Sequence, residues 1–545
     1  MNRREYLAVH PADNVWVALQ NLPSGYGVQV GSQEIFLHAA VEAKHKFTIT
    51  ELAEGAEVRM YGITVGRTRE YLPPGTLITT KNVVHTTTPV TSRTPDTHWE
   101  QPDVSAWQDA HFLGYPRSDG SVGTANYWLV FPLVFCENKN IEVIRDALSD
   151  ALGYSRYHPY RSFARKHLSL LTGAATASTD TREASGVSGN PFPNVDGVKF
   201  LVHQMGCGGT RQDARALCGL LAGYLANPNV GGATVLSLGC QNAQYEMLQE
   251  EIQLRNPLFD KPLAYFDQQT LGSEDRLIEA AIQATLEGMA QINQTPRQPA
   301  PLSKLVVGLE CGGSDGFSGI SANPLVGQVS DMVVALGGSA ILSEFPELCG
   351  VEQELVNRCI SDGIADRFLD LMDRYEKSAV AVGSGFDMNP SPGNIKDGLI
   401  TDAMKSAGAA KKGGVSPVTD VLDYPEKVTR MGLNLLCTPG NDVESTTALA
   451  AAGANLILFT TGLGTPTGNP VTPVIKVSSN TRIAERMHDI IDFDAGKIIS
   501  GEDTILSASA QLMAYMLEVA SGIRRAKADI NEQNDFIPWK RGVSL

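Results

Sequence analysis

The chain has 545 residues and a formal net charge of −16, so it is expected to form several domains. The acidic balance argues against nucleic acid or an anionic membrane surface as a partner, because the broad electrostatic attraction is absent. No apolar run approaches the ~20 residues of a membrane span, and the N-terminus has no signal-peptide core. These features predict a cytoplasmic protein whose eight cysteines are thiols, ligands or core residues rather than disulfides.

Residues 1–88 predict a small β domain, because one short pattern occurs three times. A leucine is followed after three residues by a glycine and after three more by a β-branched residue, at positions 22–28, 52–58 and 72–78. Such spacing is typical of short strands joined by tight turns. Residues 89–112, rich in Thr, Pro, Ser and Asp, predict an extended linker.

Strand and helix patterns alternate in residues 113–291 and again in residues 304–545, on either side of a proline-containing stretch. This alternation predicts two α/β domains with mostly parallel sheets. Residues 172–192, rich in Ala, Thr, Ser and Gly, predict a surface insertion in the first of them.

A β-loop-α-β unit in residues 305–345 contains the richest loop, L-E-C-G-G-S-D-G-F-S-G at positions 309–319. Ligands of open α/β sheets bind at the carboxyl ends of the strands. Glycines there allow backbone N–H groups to converge on an anion. Asn323 followed by Pro324 predicts the start of the next helix. A tight turn without a ligand is the alternative interpretation.

Five cysteines follow predicted strand ends: Cys136, Cys207, Cys240, Cys311 and Cys437. If those strands share a sheet, the thiols lie at one edge of it. Three interpretations stay open, namely buried packing residues, thiolate ligands of iron, and a nucleophile that uses His203 as its base. The C-x₂-C spacing that would favour an iron–sulfur centre is missing.

Three further polar segments are candidates for ligand contacts. His203 follows a predicted strand beside a glycine loop, where polar residues face the ligand crevice. His45 lies between Lys44 and Lys46 in a cationic segment that either approaches a carboxylate or forms a solvated turn. The loop N-P-S-P-G-N at residues 389–394 offers two asparagines for hydroxyl groups, or is a structural turn.

These segments together resemble the altronate/galactarate dehydratase family over nearly the whole chain. An N-terminal SAF-type β-clip domain is indicated by D-N-V at 13–15 and H-K-F at 45–47. The other motifs are G-C at 206–207, L-G-C at 238–240, E-C-G-G-S-D-G at 310–316, N-P-S-P-G-N at 389–394 and T-T-G-L-G-T-P at 460–466. The C-terminal motifs N-D-F and G-V-S-L look closer to the altronate branch.

The resemblance implies dehydration of a sugar acid, most favourably D-altronate, to a 2-keto-3-deoxy acid with a divalent metal, Fe²⁺ or Mn²⁺. A base and an acid are then required, and a cation must stabilise the ene-diolate. We assign the catalytic roles to His203, His45 and Lys46. Substrate contacts are assigned to Ser314, Asp315, Asn323, Asn394 and Thr460, and metal binding to Cys207, Cys240 and Cys311. An iron–sulfur centre is the less favoured cofactor, and a homo-oligomer is compatible with the chain.

Four positions depart from the family pattern that the resemblance implies. Ala125 stands at a basic position, Gln241 at a glutamate, Leu463 at an arginine, and Ile395 at a lysine. These departures keep two alternatives open. One is a galactarate (aldarate) dehydratase, and the other is a diverged sugar-acid-binding protein without catalytic activity.

Overall fold

The structure is a computed structural model that describes residues 4–152, 159–172 and 191–545. Nearly all of the predicted surface insertion lies outside these residues. The predicted fold class is confirmed, because a small β region is followed by two α/β regions with parallel sheets. Among the described residues, no helix is both long and apolar enough to cross a membrane.

Eight short strands build the N-terminal region: β1 (Tyr6–Leu7), β2 (Val15–Ala18), β3 (Gly27–Val30), β4 (Gln33–Phe36), β5 (Lys46–Thr48), β6 (Glu57–Met60), β7 (Ile63–Thr68) and β8 (Val83–Val84). They pair antiparallel in three small sheets. The glycines of the repeated pattern, Gly25, Gly55 and Gly75, have φ values of 77°, 76° and 87°. Only glycine adopts such values without strain, which explains the repeat.

The middle region contains β9 (His111–Pro116), β10 (Val122–Gly123), β11 (Tyr127–Pro132), α1 (Asn138–Ala151), α2 (Pro159–Thr172), β12 (Gly197–Phe200), α3 (Arg211–Ala226), β13 (Val230–Ser237), α4 (Tyr245–Arg255), β14 (Leu263–Asp267), α5 (Gln268–Leu271), α6 (Glu274–Ile292) and β15 (Gln298–Pro301). Strands β12, β11, β13 and β14 form a parallel sheet in that order. Thr210 and Asp213 cap α3 reciprocally, as the sequence predicts.

The C-terminal region contains β16 (Val306–Cys311), α7 (Ala322–Ala335), β17 (Ser339–Leu342), α8 (Glu352–Arg358), α9 (Asp362–Ala381), α10 (Pro392–Lys396), α11 (Asp402–Ala409), β18 (Val418–Leu422), β19 (Gly432–Leu436), α12 (Asp442–Ala451), β20 (Leu456–Thr461), β21 (Val474–Ser478), α13 (Thr481–Arg486), β22 (Phe493–Asp494), α14 (Gly496–Ser500), α15 (Ile505–Ala520) and α16 (Lys527–Ile530). The prediction that Asn323 caps α7 is wrong, because the helix begins at Ala322 and Ser321 precedes it.

The seven-stranded parallel sheet of this region has the order β18-β19-β17-β16-β20-β21-β22. Strands β17, β19 and β18 lie on one side of β16, and the later strands β20, β21 and β22 lie on the other. The strand order therefore reverses between β16 and β20. Such a switch point opens a crevice at the carboxyl edge of a parallel sheet, where ligands bind.

The linker after β8 lies along the C-terminal region instead of projecting into solvent. Thr91 N donates to Gln353 Oε1 over 2.7 Å, and Asp96 N donates to the Asn357 carbonyl over 2.8 Å. Arg93 contacts the carbonyl oxygens of Val356 and Cys359. These contacts hold the linker against the segment around α8.

Candidate active site

The loop after β16 lies at the switch point, hydrogen-bonded to the end of β20 and to the loop that follows it. Gly312 N donates to the Thr460 carbonyl and Gly462 N to the Gly313 carbonyl, both over 3.0 Å. Charged side chains gather around this loop in two groups. The lysine–aspartate cluster consists of Lys44, Lys46, Asp315 and Asp397. The carboxylate cluster consists of Glu310, Cys311, Glu344, Glu347 and Asp442 with Lys405, Lys412 and Lys476.

The lysine–aspartate cluster joins the N-terminal region to the glycine loop. Lys44 Nζ lies 3.0 Å from Asp315 Oδ2 and 2.8 Å from Asp397 Oδ1. Asp315 Oδ1 also accepts hydrogen bonds from Ser318 and Ser479, and its Oδ2 accepts one from Asn480. Both carboxylate oxygens are thus occupied, so Asp315 holds Lys44 in place.

Lys46 is fully buried, and its Nζ donates to the Gly398 carbonyl over 2.6 Å. Burial lowers the pKa of Lys46 to about 7, with a smaller lowering from Lys44 that Asp315 opposes. Close to neutral pH, a substantial fraction of Lys46 is therefore the free amine. A buried lysine of this kind is a suitable general base.

Two glycines make this approach possible. A Cβ on Gly316 would clash with the Lys44 carbonyl and lie 2.9 Å from Lys46 Nζ, and a Cβ on Gly398 would again meet Lys44. The glycine loop and the 398 turn therefore have no side chain where the N-terminal loop inserts. This close approach gives the glycine-rich motif a packing role as well.

The carboxylate cluster is buried at the ends of β16 and β17. Lys412 Nζ lies 2.7 Å from both Cys311 Sγ and Glu344 Oε2. Cys311 Sγ is 3.0 Å from Glu347 Oε2, and Lys405 Nζ is 2.7 Å from Glu347 Oε1. Four carboxyl groups and a thiol face three lysines, which leaves the cluster short of positive charge.

The pKa values in this cluster show how strongly its charges interact. Burial and the neighbouring Glu344 raise the pKa of Glu310 well above its usual range. Burial also raises the pKa of Asp442 to about 7 and lowers that of Lys476 to about 7. Lys476 Nζ faces the Phe459 ring at 3.2 Å from its centroid. Protons and cations therefore compete for the same oxygens near neutral pH.

Glu344 is the common member of two ligand groups, Cys311–Glu344–Glu347 and Glu310–Glu344–Asp442. In each group, the ligand atoms lie within 4.8 Å of one another. Glu344 has φ +67°, a conformation that non-glycine residues seldom adopt and that marks functional sites. Among the described residues, neither Glu310 Oε1 nor Glu344 Oε1 has a hydrogen-bond donor. These acceptors fit a divalent cation.

The loop at residues 389–394 contacts both clusters. Lys405 Nζ donates to Asn389 Oδ1 over 2.7 Å on the side of the carboxylate cluster. Asn394 Nδ2 donates to the Ser314 carbonyl over 2.7 Å, next to Asp315. The loop therefore links the two charged groups around one end of β16.

The chain matches known proteins along nearly its whole length. Three family models match it: the Altronate/galactarate dehydratase SAF domain at residues 4–86, the D-galactarate dehydratase/Altronate hydrolase second domain at residues 114–293, and the D-galactarate/Altronate dehydratase C-terminal domain at residues 302–544. It is 33% identical to altronate dehydratase of Escherichia coli, over 99% of this chain and 100% of that protein. The chain belongs to the altronate/galactarate dehydratase family.

Other relatives also match over most of their length. Altronate dehydratase of Bacillus subtilis is 32% identical over 99% of this chain and 100% of its own length. Galactarate dehydratase (L-threo-forming) of Escherichia coli is 29% identical over 96% of this chain and 94% of its own length. The resemblance drawn from the sequence motifs is thereby confirmed for the altronate/galactarate dehydratase family.

His203 is buried, and both of its ring nitrogens are hydrogen-bonded to the backbone. Its Nε2 lies 2.8 Å from the Pro132 carbonyl, and its Nδ1 accepts the Met205 N–H over 3.1 Å. Both ring nitrogens are occupied, and burial lowers the pKa of His203 to about 4. The ring joins two loops of the middle region. We therefore do not assign it an acid or base role.

His203→Ala is expected to lower the free energy of unfolding by about 2–4 kcal/mol, because it removes two buried hydrogen bonds and leaves a cavity. The unfolded histidine binds a proton near pH 6.5 but the folded one only near 4, so wild-type stability should fall as the pH drops through this window. Urea unfolding at several pH values checks this, with exposed His488→Ala as the control. Unchanged stability with lost turnover would contradict the structural role.

The strand-end cysteines lie in two sheets, not one. Cys136, Cys207 and Cys240 follow the adjacent strands β11, β12 and β13, and all three are exposed. Cys311 ends β16 in the other sheet, where its close ligand group contains Glu344 and Glu347. Among the described residues, Cys207, Cys240 and Cys311 thus do not form the single ligand set that the sequence suggests.

The remaining predicted site residues differ in what they contact. Thr460 Oγ1 donates to Asn323 Oδ1 over 2.6 Å, and Asn323 Nδ2 donates to the Gly408 carbonyl over 2.9 Å. This buried pair connects β20, α7 and α11. His45 lies between Lys44 and Lys46 and is half-buried, and its Nδ1 lies 3.3 Å from the Ala43 carbonyl.

The departures from the family pattern fall in different places. Gln241 is buried, donates to Ser237 Oγ over 2.6 Å and accepts the Gly239 N–H over 2.8 Å, so its amide shapes a loop of the middle region. Leu463 is 37% exposed. A Cβ on Gly313 would lie 3.2 Å from it, which places Leu463 beside the glycine loop.

Sequence reasoning missed the acidic and lysine members of the carboxylate cluster. A usable signal was present, because Glu344 and Glu347 lie within five residues of the end of an apolar strand and Glu310 lies in one. Charged residues in apolar segments are seldom buried unless they are paired or bind a metal.

Proposed function

We propose that the protein is a hydro-lyase that converts D-altronate to 2-dehydro-3-deoxy-D-gluconate and water. The observation that carries the proposal is the buried amine of Lys46, held between Gly316 of the glycine loop and the Gly398 carbonyl at the switch point of a family member. The Escherichia coli and Bacillus subtilis relatives named altronate dehydratase support the choice of substrate.

The reaction requires a base because the C–H proton α to a carboxylate is only weakly acidic. Lys46 Nζ takes this proton, and the electron pair left behind forms an ene-diolate. The C–O bond to the β-hydroxyl then breaks, and the departing oxygen leaves as water after gaining a proton. The resulting enol becomes the 2-keto product. We propose His45, half-buried on the same loop, as the proton donor.

Burial prepares Lys46 for this role by lowering its pKa. The Lys44 cation, held close by Asp315 and Asp397, adds a smaller lowering that the Asp315 carboxylate opposes. Ser314 and Asn394 line the turn beside them, and we propose that they contact substrate hydroxyls. Asn323 and Thr460 form a buried hydrogen bond with each other at the end of β20, and we propose that they position the substrate-binding residues.

The carboxylate cluster fits a divalent cation such as Fe²⁺ or Mn²⁺. Glu344 would hold it with Cys311 and Glu347, or with Glu310 and Asp442. A carboxylate-rich set with one thiol suits these metals. A cation bound there would supply the positive charge that stabilises an ene-diolate.

An iron–sulfur centre is the alternative cofactor, and its thiols would be Cys136, Cys207 and Cys240. The three loops that contain them are in contact, since Phe135 N donates to the Met205 carbonyl and Asn242 N to the Gly206 carbonyl. In a [4Fe–4S] cluster each thiolate binds a different iron atom, so the thiolates need not be as close together as the ligands of a single ion. Absence of iron and inorganic sulfide in anaerobically purified protein would exclude it.

Leu463 favours a substrate with one carboxylate. An uncharged side chain lies beside the glycine loop at a position where the family resemblance implies arginine. A dicarboxylate such as galactarate would lose a favourable charge contact there. An aldonate is therefore the better candidate than an aldarate.

The test is a substrate panel with the metal supplied. Protein purified anaerobically and loaded with Fe²⁺ or Mn²⁺ is incubated with D-altronate, galactarate and related acids, and 2-keto-3-deoxy acid is measured. D-altronate is expected to give the highest kcat/KM. Thermal stabilisation by these acids without product would instead support a binding protein, and would overturn the enzyme proposal.

A further inference from the structure

A third group of ligand side chains lies where the end of the N-terminal region meets the C-terminal region. His85 directly follows β8, Cys349 follows the turn that contains Glu347, and Asp402 is the first residue of α11. Their ligand atoms all lie within 4.8 Å of one another. None of the three belongs to the carboxylate cluster or to the lysine–aspartate cluster.

Asp402 is the unusual member, because it is fully buried. Neither of its carboxyl oxygens has a nitrogen or oxygen donor among the described residues, and its neighbour is the Cys349 thiol. A buried carboxylate without such partners is costly, unless it is protonated or faces a cation. Burial accordingly raises the pKa values of both Asp402 and Cys349 above their usual ranges.

The charged groups that face this site are mostly acidic. Glu347 and Asp387 act on Asp402, while Glu352 and Glu376 act on Cys349. Among the described residues, Lys405 is the cationic side chain that acts on Asp402, and it forms an ion pair with Glu347 at 2.7 Å. The site therefore combines metal-ligand atoms with a negative electrostatic potential, as a cation site requires.

We propose that His85, Cys349 and Asp402 bind one divalent transition-metal ion of the zinc type. One imidazole, one thiolate and one carboxylate are ligands that Zn²⁺ takes in tetrahedral sites, with water in the fourth position. His85 and Cys349 are half-buried, which leaves a path for the ion and the water.

The ion would act as a clamp between two regions of the chain. Gly350 has φ +92°, and a Cβ there would lie 2.8 Å from Thr87 Cγ2, so the two segments already pack closely. His85 belongs to the region that supplies Lys44 and Lys46, and the other two ligands belong to the region that contains Asp315. The bound ion would thus stabilise the docking that brings these lysines to the glycine loop.

The test uses the full-length chain, stripped with chelator and titrated with Zn²⁺ or Co²⁺ in the absence of substrate. Wild type is expected to bind one more equivalent than Cys349→Ser and His85→Gln, and to show thiolate-to-Co²⁺ charge-transfer absorption that is weaker in Cys349→Ser. Zn²⁺ should raise the Tm of wild type more than that of either variant. Cys359→Ser is the matched control, because it changes a buried thiol that donates a hydrogen bond to the Leu355 carbonyl.

The ions bound by the carboxylate cluster are counted separately with Glu344→Gln, which removes that site and should leave the Cys349-dependent equivalent in place. Equal stoichiometry, spectra and Tm shifts in wild type, Cys349→Ser and His85→Gln would overturn the proposal. If Cys349→Ser does not fold, His85→Gln alone decides, because its half-buried ring can be replaced without a large cavity. The readouts need no turnover, so they are independent of the proposed function.

Discussion

Glu344→Gln is expected to lower kcat/KM by about 100-fold or more, because the amide removes the shared carboxylate of both ligand groups in the carboxylate cluster. Glutamine keeps the shape of the side chain but binds a divalent cation more weakly and leaves Lys412 without its ion partner. Turnover of D-altronate and the Fe²⁺ or Mn²⁺ content after dialysis are the two measurements. Both should fall together.

Glu354→Gln is the matched control, since Glu354 lies on the nearby helix α8 and is 40% exposed. Its loss should leave activity and metal content unchanged. The cluster would be purely structural if Glu344→Gln kept wild-type metal content and kcat/KM. A fall in Tm without any change in turnover per folded molecule would lead to the same conclusion.

Lys46→Met is expected to lower kcat by about 10²- to 10⁴-fold, the usual contribution of a general base. Methionine is close in size and apolar, so the buried site should accept it. In wild type, activity should rise with pH through about 7, because the amine must lose its proton before it can take one from the substrate. This rise should be absent from the residual activity of the variant.

Exposed Lys81→Met in the same N-terminal region serves as the control. A substrate deuterated at the α carbon adds a second measurement. Wild type should turn it over more slowly than the undeuterated substrate if proton removal limits the rate. Full activity of Lys46→Met, or a wild-type profile flat across pH 6–8, would exclude Lys46 as the base.

The sequence by itself determined the architecture and the family. Local chemistry was sufficient for the architecture, because turn glycines in the repeated pattern specify short strands and alternating apolar segments specify parallel α/β sheets. The Thr210–Asp213 capping box shows the same locality, since its partners lie within one helical turn. Motifs in one order along the chain then identified the dehydratase family without any knowledge of contacts.

Only the tertiary structure decided which charged groups meet. Lys46 donates to a carbonyl 352 positions away, and Glu344 reaches Lys412 across 68 positions. No local pattern encodes such pairs, because burial and electrostatics depend on which surfaces face each other after folding. For the same reason, the cysteines that looked alike in the sequence separated into two sheets, and His203 became a structural bridge.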